Sequence, residues 1–217
     1  MKNKTLLFDL DGTLIDSTPA ILNSFHFAFE KLGLKPSLDE DIKRLIGLPL
    51  DEAFKVLCNK EKAYLAEQFV DFYREKYRTI YLDQTTLLPL AKEALEMASK
   101  FADLAVVTTK GSQFTKPLLD FLGVGHFFKS IVGRNDVQFA KPHPEPILTA
   151  LKRLNKDKTH AFMIGDTQFD VLAAKAAGIS HIALSCGYES IESLQKYSDC
   201  IKNNAYEAVK YIENSNI

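Results

Sequence analysis

Asp9 and Asp11 stand one residue apart at the end of the apolar run Leu6-Leu7-Phe8, and Gly12-Thr13 follows directly. A buried strand that ends in two carboxylates and then breaks at a glycine delivers a nucleophile and a second acid to one point. That arrangement suits phosphoryl chemistry, and nothing in ordinary folding demands it. An Asp-Gly turn with acids nearby is also a common loop, so the reading depends on partners elsewhere. Three segments supply them in order: Val106-Val107-Thr108-Thr109-Lys110, Ala140-Lys141-Pro142-His143-Pro144, and Met163-Ile164-Gly165-Asp166-Thr167-Gln168-Phe169-Asp170. A phosphate monoester dianion repels an attacking carboxylate, so a divalent cation must neutralise part of the charge. Asp9 and Asp166 offer the hard oxygen ligands that Mg²⁺ takes. Lys141 can cancel further charge on Asp9 and on the phosphoryl group.

These residues need elements that bring them together. Thr5-Phe8, Leu104-Thr108, Ser130-Val132, Ala161-Ile164 and Ile182-Leu184 are short, continuous apolar runs, the signature of strands covered on both faces. Stretches with helical spacing lie between them, over Leu88-Lys100, Phe114-Leu122, Pro144-Leu154 and Phe169-Ala177, the last ending at Gly178. This alternation predicts an α/β fold, an open Rossmann-like parallel sheet with right-handed crossovers. In such a sheet ligands sit outside the carboxyl ends of the strands, so residues more than a hundred apart in sequence converge.

The interval 16–82 breaks the alternation. Thr18-Pro19 reads as an N-cap and first-turn proline, and Ser37-Leu38-Asp39-Glu40 as a capping box opening a helix through Ile42, Leu45 and Ile46. Leu50-Cys58 and Leu65-Ile80 add two more helical stretches, with Phe69, Phe72, Tyr73 and Tyr77 on one approximate face, read as packing. The expected organisation is a catalytic core of residues 1–15 and 83–217 with an inserted, all-helical cap domain over 16–82. From Asp199 onward, Ala205, Ala208, Val209 and Ile212 have the spacing of a final docking helix.

Taken together, the four segments resemble the ordered motifs of the haloacid dehalogenase superfamily, specifically its phosphatase branch, over residues 9 to 170. The resemblance implies that Asp9 attacks phosphorus to form an aspartyl-phosphate, while Asp11 protonates the leaving alkoxide and then takes a proton from water. It implies Mg²⁺ as cofactor, held by Asp9, Asp166 and the backbone carbonyl of Asp11. Thr108, Thr109 and Lys141 would bind the phosphate, although Thr109 stands where the family frequently has Asn or Ser. Asp170 has a complete explanation as a carboxylate in a helix's first turn, and the family pattern adds that it orients the metal's water shell or Lys141. Lys110 reads as a surface charge near the mouth, and His143 as a loop or solvent-facing imidazole without a role.

Within that superfamily Asp11 argues against dehalogenation, because a halide leaves without a proton. No cap lysine is singled out for phosphonate cleavage. Phosphosugar mutases commonly carry an arginine a few residues after a cap glycine, where this chain has Leu50 after Gly47. The stretch Arg44-Leu45-Ile46-Gly47-Leu48-Pro49 is similar instead to caps of phosphoglycolate phosphatases and related pyrophosphatases. A small phosphorylated metabolite is the expected partner, phosphoglycolate first and pyrophosphate second. A noncatalytic binding module of the same fold is the alternative of another class.

At 217 residues and 46% hydrophobic composition, the chain can bury one substantial core and a smaller accessory one. Its 27 basic against 28 acidic residues leave no electrostatic footprint for nucleic acid or an anionic membrane. Cys58, Cys186 and Cys200 are scattered, with no C-x-x-C pair, and read as buried small hydrophobes rather than a disulfide or zinc framework. The apolar run near the N-terminus is much shorter than a signal peptide needs. A cytoplasmic monomer or weak homodimer is expected.

Overall fold

The computed structural model describes residues 3–58 and 60–215. From the N-terminus, β1 (Lys4–Phe8) and the short β2 (Ile15–Asp16) precede helices α1 (Thr18–Lys31), α2 (Asp39–Lys43), α3 (Leu50–Leu57) and α4 (Ala66–Ile80). Then follow β3 (Thr86–Leu87), α5 (Ala91–Phe101), β4 (Ala102–Val107), α6 (Ser112–Phe121), β5 (Phe128–Val132) and α7 (Glu145–Leu154). The chain continues through β6 (Ala161–Gly165), α8 (Gln168–Ala177), β7 (Ser180–Leu184), α9 (Ile191–Leu194), β8 (Ile201–Lys202) and α10 (Ala205–Asn214). Two compact units result, one of residues up to Ile15 and from Leu87 onward, the other Asp16–Thr86.

The first unit is the expected α/β fold: a six-stranded, all-parallel sheet in the order β5-β4-β1-β6-β7-β8. Leu7 on β1 packs with Ala105, Val107, Met163, Ile147, Leu151 and Ala174 on one face. Because strand side chains alternate, Leu6 and Phe8 turn to the other face and are fully buried there. Burial on both sides is why these strands are continuous apolar runs rather than alternating ones. The tail forms the docking helix expected of it: Ala205, Ala208, Val209 and Ile212 are buried, and α10 packs against α5. Lys4 Nζ ties that helix to β1 by donating to the carbonyls of Ile212 (2.6 Å) and Ser215 (2.7 Å). The edge strand β8, two half-buried residues, has no counterpart in the apolar pattern.

The topology positions the chemistry. β1 lies between β4 and β6, with Phe8 in register with Val106 on one side and Ile164 on the other. The residues after these strands therefore emerge side by side, about 5 Å apart per strand, at the point where the strand order reverses.

The second unit is helical, with an aromatic core. Phe69 stacks on Phe54 (centroids 4.5 Å apart) and meets Phe25 (5.2 Å) and Phe29 (5.5 Å). Phe69, Tyr73 and Tyr77 are spaced at i, i+4 and i+8 and are all buried, while Phe72 is only half-buried. Two local expectations need correction. Ser17, not Thr18, is the N-cap of α1, and the Asp16 carboxylate accepts the Thr18 N–H (2.9 Å). No capping box forms at Ser37: α2 begins at Asp39 behind an extended Leu38 and ends at Lys43. Asp39 is occupied by His26 (2.6 Å). Further helix is stopped where Gly47 turns with φ +108° and Pro49 disfavours helical backbone at Leu48.

The cysteines also differ from expectation, since Cys58 and Cys200 are half-buried and Cys186 is exposed; all three are free. Among the described residues no helix is long and apolar enough to cross a membrane.

Candidate active site

Asp9 leaves β1 buried, 4% exposed, with its N–H donated to the carbonyl of Ile164 (2.9 Å). The chain then reverses in a tight turn in which the N–H groups of Thr13, Leu14 and Ile15 converge on the Leu10 carbonyl. Gly12 makes this turn possible in two ways. Its φ is +81°, and a Cβ there would stand 2.3 Å from Asp166 Oδ2. The turn also carries Thr13 inward, where its hydroxyl donates to Asp166 Oδ1 at 2.7 Å.

Asp166, fully buried, follows β6, and its second oxygen accepts the N–H of Tyr188 at 2.9 Å. Thr167 caps α8, and Asp170 in the first turn reaches back to the Thr167 N–H (3.1 Å) and hydroxyl (2.8 Å) through Oδ2. The Asp170 Oδ1 accepts from Lys141 Nζ at 2.5 Å. Lys141 is 3% exposed and also lies 2.9 Å from Asp9 Oδ1. Its loop is braced by Glu145, which accepts the N–H groups of Gln138 (3.0 Å) and Phe139 (2.8 Å), and the Lys141-Pro142 peptide is cis. His143 is exposed and its ring accepts the Glu145 N–H (3.2 Å).

The charges explain the electrostatics. Asp9, Asp166 and Asp170 are buried around the Lys141 ammonium, so full ionisation of the three sets three negative charges against that one positive charge. Burial pushes the Asp9 carboxyl up to about 7, against the pull of Lys141 and with a further push from Asp170. Burial also raises Asp166 well above the usual carboxylate range, and Asp9 and Asp170 add to it. Burial alone would lower Lys141, but the Asp170 and Asp9 carboxylates override it and hold the ammonium charged.

A hard divalent cation fits this set. Oxygens of Asp9, Asp166 and Asp170 all lie within 4.8 Å of one another. Asp9 Oδ1 is buried and accepts no hydrogen bond among the described residues, despite the nearby ammonium. Gly12 and Gly187 line Asp166 where any Cβ would come within 2.3 Å and 2.1 Å of its Oδ2. An oxygen-only donor set is what Mg²⁺ favours.

Thr108 follows β4, buried at 4%, with its N–H on the Val132 carbonyl (3.0 Å) and its hydroxyl accepting from the Lys110 N–H (3.1 Å). Thr109 is half-buried beside it. Asp11 does not join the carboxylate cluster. Its side chain pairs with Lys110 Nζ at 3.0 Å, and both side chains are nearly enclosed, 12% and 7% exposed. Lys110 is therefore no surface charge, contrary to expectation; the loop after β4 curls it back toward the turn after β1. Thr13, Gly187 and the Tyr188 N–H are further contacts of Asp166 that motif reasoning passed over. Their signal was position: Gly187 and Tyr188 come just after the apolar run Ile182-Leu184, at the same carboxyl edge as the other residues.

The family model described as haloacid dehalogenase-like hydrolase matches residues 6–184. A phosphoglycolate phosphatase of Pseudomonas fluorescens is 32% identical over 191 residues, 85% of this chain and 70% of that protein. A pyrophosphatase of Oceanobacillus iheyensis is 31% identical over 198 residues, 91% of this chain and 90% of that one. The solved structure of a haloacid dehalogenase-like family hydrolase from Streptococcus pneumoniae superposes with a TM-score of 0.86 at 31% identity, covering 96% and 97% of the two chains.

Proposed function

The chain belongs to the haloacid dehalogenase-like hydrolases as a phosphatase of the phosphoglycolate phosphatase-like branch, and we propose that it hydrolyses a small phosphomonoester, phosphoglycolate first, with Mg²⁺. The observation that carries the mechanism is the buried cluster itself: Asp9 and Asp166 just past the ends of adjacent strands β1 and β6, with Asp170 of α8 and Lys141 from the loop after β5. Asp9 and Asp166, with the Asp11 backbone carbonyl, would hold the ion. When bound, Mg²⁺ supplies the positive charge that lets a carboxylate approach a phosphate dianion.

In the first step an Asp9 oxygen attacks phosphorus and the bond to the leaving oxygen breaks, with Asp11 giving that oxygen its proton. In the second, water attacks the aspartyl-phosphate, Asp11 takes a proton from it, and Asp9 is released as carboxylate with orthophosphate. Lys141 offsets charge on Asp9 and the phosphoryl group, the Thr108 hydroxyl and Thr109 hold its oxygens, and Asp170 fixes Lys141 through the 2.5 Å contact. Both Asp170 oxygens are committed to Lys141 and Thr167, which supports an orienting role. The helical unit serves as the cap that selects the leaving group, and the enzyme acts in the cytoplasm as a monomer or weak homodimer.

Pyrophosphate is the second reading, favoured by the likeness to the Oceanobacillus pyrophosphatase across most of both chains. The experiment is phosphate release from a panel of phosphoglycolate, other small phosphomonoesters, hexose phosphates and pyrophosphate, with Mg²⁺ and with EDTA, against Asp9→Asn protein. Metal-dependent release strongest from phosphoglycolate is expected. Conversion of a hexose 1-phosphate to its 6-phosphate without release would overturn the hydrolase.

A further inference from the structure

Asp166 owes its orientation to two donors, and one of them belongs to a segment outside the four motifs. The Thr13 hydroxyl holds Oδ1, and the Tyr188 backbone N–H holds Oδ2 at 2.9 Å. A backbone donor is only as well placed as its loop. The segment 185–190 leaves the sheet after Ser185, whose N–H still bonds the Lys202 carbonyl at 3.0 Å. It then passes so close to Asp166 that a Cβ on Gly187 would lie 2.1 Å from Oδ2.

The next residue, Glu189, fastens the segment. One of its carboxylate oxygens accepts the N–H of Gln168, the first residue of α8, and the other accepts the Ser193 hydroxyl at 2.5 Å. The Gln168 N–H is one of the helix's donors without an intrahelical partner, and a carboxylate suits the positive end of a helix. Glu189, one residue beyond Tyr188, thereby joins the segment carrying the Tyr188 N–H to Gln168, two residues beyond Asp166. The closed loop runs from Asp166 through Thr167 to Gln168, across to Glu189, and back through Tyr188.

We propose that Glu189 is a positioning residue for the divalent cation, acting through Asp166: it holds the Tyr188 N–H on Asp166 Oδ2 and so fixes the oxygen presented to the ion. This rests on the reading of Asp166 as a ligand. Groups that orient a metal's ligands are commonly worth 10- to 100-fold in affinity. The substitution Glu189→Gln keeps both contacts, because its oxygen can accept from Gln168 and its amide can donate to Ser193, but it removes the charge.

The test is the Mg²⁺ dissociation constant by calorimetry on the full chain, for wild type, Glu189→Ala, Glu189→Gln, Ser193→Ala and Asp166→Ala, with maximal velocity at saturating Mg²⁺ alongside. Glu189→Ala is expected to weaken Mg²⁺ by about tenfold or more, while Glu189→Gln stays within about threefold of wild type and excess Mg²⁺ restores most of the velocity. Ser193→Ala, which keeps the Gln168 contact, should show a smaller loss and decides the matter if Glu189→Ala does not fold. Wild-type Mg²⁺ affinity in both Glu189→Ala and Ser193→Ala, with binding lost in Asp166→Ala, would overturn the role of Glu189 and leave the metal site standing. A Glu189→Gln as weak as the alanine variant would assign the effect to charge and also overturn positioning. Wild-type affinity in Asp166→Ala would instead sink the reading of the metal site.

Discussion

Removing the proton from Asp9 should govern metal affinity near neutral pH. In the metal-free protein burial holds this carboxyl at about 7, against an ordinary 3.8. A folded value above the unfolded one stabilises the protein below the unfolded value, and that contribution is lost as pH rises through the folded value. The span from 3.8 to about 7 corresponds to about 4 kcal/mol for this group alone. The metal-free protein should therefore lose stability as pH rises from about 4 to about 7, and Mg²⁺ should restore it at the alkaline end.

The same proton competes with the ion. With a value near 7, about one-tenth of Asp9 is ionised at pH 6 and about nine-tenths at pH 8, so Mg²⁺ should bind roughly tenfold more weakly at pH 6. The raised Asp166 adds to this in the same direction. Calorimetry in buffers of different ionisation enthalpy reads both quantities, and should find at least about one proton released per Mg²⁺ at pH 6. Equal dissociation constants at pH 6 and 8 with no proton release would refute the reasoning, since they would mean that the cluster is already ionised when empty.

Three further outcomes follow from particular contacts. Gly12→Ala places a Cβ 2.3 Å from Asp166 Oδ2 at a backbone φ of +81°; the conformation alone costs roughly 1–2 kcal/mol, and Mg²⁺ affinity should fall at least about tenfold by calorimetry. Phe69→Ala removes the fully buried ring at the centre of the helical unit and should cost about 3–5 kcal/mol, read by urea unfolding. Burial alone would raise Asp103, but contacts from Lys129 (2.6 Å) and Lys156 (3.1 Å) outweigh it and hold the carboxyl below its usual range. Asp103→Asn should therefore lose about 1 kcal/mol at pH 7, an effect full above the ordinary 3.8 and vanishing as pH falls through the lower folded value.

The parallel sheet was readable because strands buried on both faces must be apolar throughout, as Leu6-Leu7-Phe8 and Ala105-Val106-Val107 are. β8 was not, because two half-buried residues at an edge carry no pattern. Asp9, Asp166, Asp170 and Lys141 could be anticipated to converge, since strand ends in one sheet share an edge. The pairing of Lys110 with Asp11 could not, because it depends on how one loop curls over another. Ser37-Leu38-Asp39-Glu40 has capping-box chemistry, but the helix starts at Asp39 behind an extended Leu38, and the Glu40 carboxylate that would close the box accepts from Lys43 instead (2.8 Å). Composition alone suggests a buried Cys186, yet it is exposed beside Gly187, in a segment shaped by the needs of Asp166 rather than by apolar packing.

The most direct test of the central claim is to mix the enzyme with Mg²⁺ and phosphoglycolate, quench in acid within a single turnover, and map the phosphoryl group by peptide mass spectrometry. One phosphoryl group on the peptide carrying Asp9, absent from Asp9→Asn protein, is the expected result. Full turnover with no covalent phosphoryl at any quench time, or undiminished turnover in Asp9→Asn protein, would contradict the account.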